Sequence, residues 1–77
     1  MPDRIIHQRL DTSGLMCPLP VLKAQKILRT MPAAEVIEVI STDPKAIEDF
    51  PIFCHEQNYK LLQHSENNGR FVFIIQK

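Results

Sequence analysis

Prolines divide this chain more firmly than any other feature, because each fixes its own φ and withholds a backbone N–H. Pro18 and Pro20 open a helical pattern, Pro32 ends it, and Pro44 follows Asp43 as a proline follows an N-cap. In the first pattern, from Pro18 to about Met31, Val21, Ala24, Leu28 and Met31 form one apolar stripe that Ile27 widens; Lys23, Lys26, Arg29 and Thr30 fall outside it. In the second, Ile47, Phe50, Phe53 and Cys54 are the expected buried stripe, Pro51 predicts a kink or break near Phe50, and Asn58 is a C-terminal stop.

The segments between and after these helices alternate as strands do. Arg4 to Asp11 reads as a short strand with Ile6 and Leu10 on one face and His7 and Arg9 on the other. Glu35 to Thr42 carries apolar residues on both faces, the pattern of a central strand. Tyr59 to Glu66 and Arg70 to Gln76 form the arms of a hairpin around Asn67-Asn68-Gly69, whose Asn-Gly pair favours a tight turn. The order is β-α-β-α-β-β. Two amphipathic helices that each need a sheet face predict an α+β fold, a two-layer sandwich with a four-stranded mixed sheet and both helices on one face.

At 77 residues the chain is expected to be one domain over residues 1–77, too small to enclose a deep substrate cavity easily. Nine basic residues balance nine acidic ones, which argues against a whole-protein electrostatic grip on nucleic acid or an anionic membrane. No apolar run approaches the roughly 20 residues that span a bilayer, and the first residues carry no signal-peptide pattern, so a cytoplasmic location is the expectation. There Cys17 and Cys54 are expected as thiols.

The stretch richest in chemistry runs Leu10-Asp11-Thr12-Ser13-Gly14-Leu15-Met16-Cys17-Pro18-Leu19-Pro20. It places Cys17 at or next to the start of a helix, where the positive pole and free N–H groups stabilise an anion, so a modestly lowered thiol pKa is expected. With Pro18 at N1 and Pro20 at N3, only Leu19 and Val21 would remain as early donors; the prolines would instead stiffen the turn and present the sulfur outward. Read from the residues alone, two accounts stand: a reactive thiol, or a small buried hydrophobe at a helix start. No second cysteine lies two residues away, which excludes a thioredoxin-type dithiol, and no local general base is present after Asp11.

The segment resembles the Cys-Pro-x-Pro signature of the TusA-like (SirA-like) sulfur-carrier family. The likeness includes Leu10-Asp11, the turn with Gly14, Leu15 and then Cys17-Pro18-Leu19-Pro20, and a second stretch, Asp43-Pro44 with Asp49-Phe50-Pro51-Ile52-Phe53-Cys54. It covers nearly the whole chain. The resemblance implies the same β-α-β-α-β-β sandwich and a Cys17 that accepts sulfane sulfur as a persulfide from a cysteine desulfurase or rhodanese-like donor, then relays it to an acceptor protein. It implies no cofactor. In one branch the relay ends in 2-thiouridine of tRNA; others serve sulfur oxidation, molybdenum-cofactor enzymes or selenium metabolism. The tRNA branch commonly has Arg before the cysteine and Glu between the prolines, where this chain has Met16 and Leu19, an apolar rim that bears on partner choice.

The remaining candidates have plainer readings beside their functional ones. Cys54 is expected to be a buried structural thiol, the alternative being a resolving cysteine for Cys17. Lys23, Lys26 and Arg29 are either a solvated helix face or, with Met16, a docking strip for a partner's acidic surface. His7, His55 and His64 fall on three elements without zinc-ligand spacing, so no metal is assigned. Asp11 is expected to brace the Ser13-Gly14 turn. A function from another class, a non-catalytic RNA-binding or regulatory module, would use the basic strip and stacking by Phe71 and Phe73; zero net charge and the lack of an aromatic surface-strand motif argue against direct nucleic-acid binding.

Overall fold

A computed structural model describes residues 5–77. Its elements are β1 (Gln8–Thr12), α1 (Leu19–Thr30), β2 (Val36–Ser41), α2 (Ala46–Gln57), β3 (Lys60–Asn67) and β4 (Arg70–Gln76). The four strands form one mixed sheet in the order β1-β2-β4-β3. β1 runs parallel to β2, while β4 is antiparallel to both β2 and β3. The fold class and element order are those expected. β1 runs Gln8–Thr12 in place of the expected Arg4 to Asp11: Arg4 lies outside the described residues, and Ile5, Ile6 and His7 are not strand, the Val36 N–H at the start of β2 being taken by the His7 ring at Nδ1 instead of by a strand carbonyl.

Register decides which face is covered. Leu10, Ile37, Val39, Phe73 and Ile75 line up across the sheet and join Ala24, Leu28 and Met31 of the α1 segment and Phe50, Phe53 and Cys54 of α2 in one core. The opposite face carries the Arg9–Glu38 ion pair, 3.0 Å, and the half-buried Ile40 and Val72. Phe50 stacks on Phe73 with centroids 4.6 Å apart, and Phe53 meets Phe50 edge-on at 6.3 Å. Phe71 and Phe73 are thus core residues, which removes them as base-stacking platforms.

The tight turn forms as Asn-Gly dictates. Asn67 pairs with Arg70, and Asn68 and Gly69 take φ of 55° and 79°, the two positive values that a primed hairpin turn needs. Asn58, at φ 62°, ends α2 with its N–H bonded to the Cys54 and His55 carbonyls.

Four further expectations are corrected. α1 begins one residue later: Pro18 is its N-cap and Pro20 its second residue. α2 begins at Ala46 with Lys45 as N-cap, not at Asp43-Pro44, which form the turn before it. α2 also runs unbroken through Pro51. The only intrahelical bond this proline removes is to the carbonyl of Ile47, the second residue of α2, on an exposed stretch where water can replace it. Finally, Ile47 is exposed; Ala46 takes its expected place in the core.

Candidate functional site

The first two strands are parallel, so their C-terminal ends lie side by side, and the two loops that leave them are bound to each other. Asp11 Oδ1 accepts both the N–H of Ser13, 2.9 Å, and its hydroxyl, 2.6 Å. Those bonds hold the Asp11 carboxyl below its ordinary value and brace the turn as expected. Gly14, at φ 83°, donates its N–H to Thr42 Oγ1 at 2.9 Å, so the β1–α1 loop reaches the β2–α2 loop here. The positive φ favours glycine. Buried Thr12 bonds through its hydroxyl to the Ile40 carbonyl, 2.5 Å, tying the end of β1 to β2.

Asp43 completes the junction. It is 6% exposed; its Oδ2 accepts the backbone N–H of Cys17 at 2.6 Å, and its Oδ1 accepts that of Lys45 at 3.1 Å. Its own N–H donates to Ser41 Oγ. One carboxylate therefore fixes the cysteine loop and starts α2. The Cys17–Pro18 peptide is cis.

Cys17 is exposed, which excludes the buried-hydrophobe account. It lies on an open groove of about 240 Å³ whose walls are Pro18 and Val21 on one side and Asp49, Ile52 and Glu56 on the other, with Phe53 also lining it. Exposed Met16, Leu19, Leu22 and Ile52 give this end of the molecule an apolar surface. Pro20, the second residue of α1, is buried, while Leu19 sits at the helix mouth with its N–H bonded to the Met16 carbonyl, 2.9 Å.

The thiol pKa departs from expectation. It is raised, chiefly by a hydrogen bond to the Asp49 carboxylate, then by desolvation and by the negative charges of Asp49 and Asp43, against a smaller lowering by Lys45. The helix start cannot offset this. Pro18 and Pro20 have no N–H, and the Leu19 N–H is committed to Met16, so the ordinary anion-binding donors are depleted. Cys54 is sealed in the core, where burial pushes its thiol up to about 11.

Lys23, Lys26 and Arg29 are exposed on α1 as expected, yet none lines the groove; the charged groups there are the acids Asp49 and Glu56. Those acids and the bridging role of Asp43 are what sequence reasoning missed. Asp49, Ile52 and Glu56 do share an i, i+3, i+7 stripe beside buried Phe53, which was the available signal.

Fold and site together define a small two-layer α+β domain that presents one exposed thiol where two parallel strands end. The Sulfurtransferase TusA family profile matches residues 8–77, and the chain belongs to that family. It is 44% identical over 70 residues to the sulfur carrier protein TusA of Allochromatium vinosum, covering 91% of this chain and 92% of that one. It is 40% identical over 76 residues to the TusA of Pseudomonas putida strain F1, covering 99% and 90%. The crystal structure of a SirA-like protein from Desulfitobacterium hafniense shares the fold with a TM-score of 0.77 at 21% identity, over 90% of this chain and 95% of that one.

Proposed function

We propose that this chain is a sulfur carrier whose Cys17 accepts sulfane sulfur as a persulfide and passes it to an acceptor protein. The observation that carries this reading is the contrast between its two cysteines: Cys17 stands exposed on an open groove, while Cys54 is buried in the core. Family membership and the names of the relatives support it. The donor is a cysteine desulfurase or rhodanese-like protein and the acceptor a downstream relay protein; 2-thiouridine of tRNA is one destination open to such a relay, beside sulfur oxidation, molybdenum-cofactor enzymes and selenium metabolism. No cofactor takes part, because sulfur exchange needs only a nucleophilic thiol and an accessible S–S bond. No helix among the described residues is long and apolar enough to cross a membrane, and relay of a reactive sulfur among thiol proteins fits a reducing cytoplasm.

Gly14, Pro18, Leu19 and Pro20 present the sulfur, and Met16 with Lys23, Lys26 and Arg29 forms the docking surface for partners. Whether such a protein is called an enzyme or a carrier is a matter of convention. The reading is tested by transfer of radiolabelled sulfur from a cysteine desulfurase to the chain and on to an acceptor thiol. Label should enter the wild type and Cys54→Ser and be absent from Cys17→Ser. Equal labelling of Cys17→Ser would overturn the reading, as would high-affinity RNA binding without any sulfur uptake.

A further inference from the structure

The groove at Cys17 is acidic, while the basic strip lies outside it. Asp49 and Glu56 stand two turns apart on one stripe of α2, separated by Ile52, and face the sulfur across a groove otherwise lined by Pro18, Val21 and Phe53. Asp43 approaches from the β2–α2 loop, held by the Cys17 N–H, and Lys45 is the cation on that loop. A thiol is neutral here at rest, whereas a persulfide is an anion at neutral pH, so loading adds a negative charge between carboxylates.

Resting on the reading of Cys17 as the sulfur-bearing residue, we propose that Asp49 is the base that takes up the Cys17 proton during loading and, with Glu56, repels the loaded persulfide outward to the acceptor. The donor presents R–S–S⁻. The Cys17 sulfur attacks its outer sulfur; the new Cys17 S–S bond forms as the donor S–S bond breaks, and that electron pair stays on the donor's inner sulfur. The proton leaves Cys17 through Asp49 and ends on that inner sulfur. The sum is Cys17–SH + R–S–S⁻ → Cys17–S–S⁻ + R–SH, with no external oxidant or reductant. Delivery to an acceptor thiol is the reverse step with a new partner. An acidic groove weakens retention of the sulfur, which suits a carrier better than a store.

The test has two readouts on the full chain. The first is the pH profile of Cys17 alkylation by iodoacetamide, an uncharged probe. The second is the fraction of chain carrying an added sulfur at equilibrium with a cysteine desulfurase and cysteine. Asp49→Asn should move the alkylation midpoint to lower pH. It should also raise the loaded-to-unloaded ratio on the order of threefold to tenfold, because removing a carboxylate charge beside the sulfur favours the persulfide anion. Glu56→Gln, at an exposed position, should raise the ratio less and serves for the loading arm if Asp49→Asn does not fold. Glu66→Gln, an acid on β3 away from this groove, is the control and should change neither readout. A folded Asp49→Asn with the wild-type alkylation profile, or with unchanged loading in both groove variants, overturns the proposal. If the wild type itself takes up no sulfur, the carrier reading fails instead, and the two failures are distinct.

Discussion

Replacing Asp43 by Ala removes the acceptor of two backbone bonds at once: the 2.6 Å bond from the Cys17 N–H and the 3.1 Å bond from the Lys45 N–H. Each bond to a charged acceptor contributes about 1.5–3 kcal/mol. Both donors belong to exposed residues, so water recovers part of the loss in the variant. The expected destabilisation is therefore roughly 2–4 kcal/mol, against a total of about 4–12 kcal/mol for a domain of this length. With a urea slope near the low end for small proteins, about 1 kcal/mol/M, the unfolding midpoint should fall by about 2–4 M. Asp43→Asn keeps one carbonyl oxygen but turns an NH₂ donor toward the other N–H, and should lie between Ala and wild type. Urea unfolding followed by circular dichroism measures all three. A stability for Asp43→Ala within about 0.5 kcal/mol of wild type, a midpoint shift of no more than about 0.5 M and the scatter of ordinary surface substitutions, would refute the claim that this carboxylate ties the cysteine loop to α2.

Other perturbations probe separate parts of the account. Phe50→Ala removes a fully buried ring stacked on Phe73 and should cost about 3–5 kcal/mol, read as a fall of the thermal midpoint by roughly 12–40 °C. At pH 8 an alkylating reagent should label Cys17 alone, because Cys54 is buried with its thiol raised to about 11; both should label in denaturant, as peptide mass mapping would read. The Cys17 thiol is raised, so its thiolate share grows only as pH climbs past the ordinary thiol value, and alkylation rates should still be rising there rather than at a plateau. Lys77 Nζ bonds the Arg29 and Met31 carbonyls at the end of α1; Lys77→Ala should lower stability by about 0.3–1 kcal/mol, visible as a small shift in urea midpoint.

Much of this fold was legible because local and global signals agree. β2 is apolar on both faces and lies between β1 and β4, and Asn68-Gly69 and Asn58 occupy the positive-φ positions their residue types favour. Where expectation failed, a contact distant in sequence decided. Asp43-Pro44 reads as a helix start, but its side chain is shared with Cys17 and the helix begins after it. Cys17 reads as an activated thiol, yet the groups that set its proton affinity, Asp49 and Asp43, come from α2 and the loop before it. Lys77 caps a helix that ended 47 positions earlier, at Thr30. The β3 bulge, where the register slips between Leu61 and Gln63, has no turn residue to announce it. The cysteine was visible in the sequence; its acidic surroundings were not.

Whether Cys17 carries sulfur is read by the site-mapped mass of the chain after incubation with a cysteine desulfurase and cysteine. One added sulfur atom is expected on the peptide holding Cys17, none on the peptide holding Cys54, and reductant should remove it. Sulfur found on Cys54, or a wild-type chain that takes up none while its donor is active, would contradict the carrier role of Cys17.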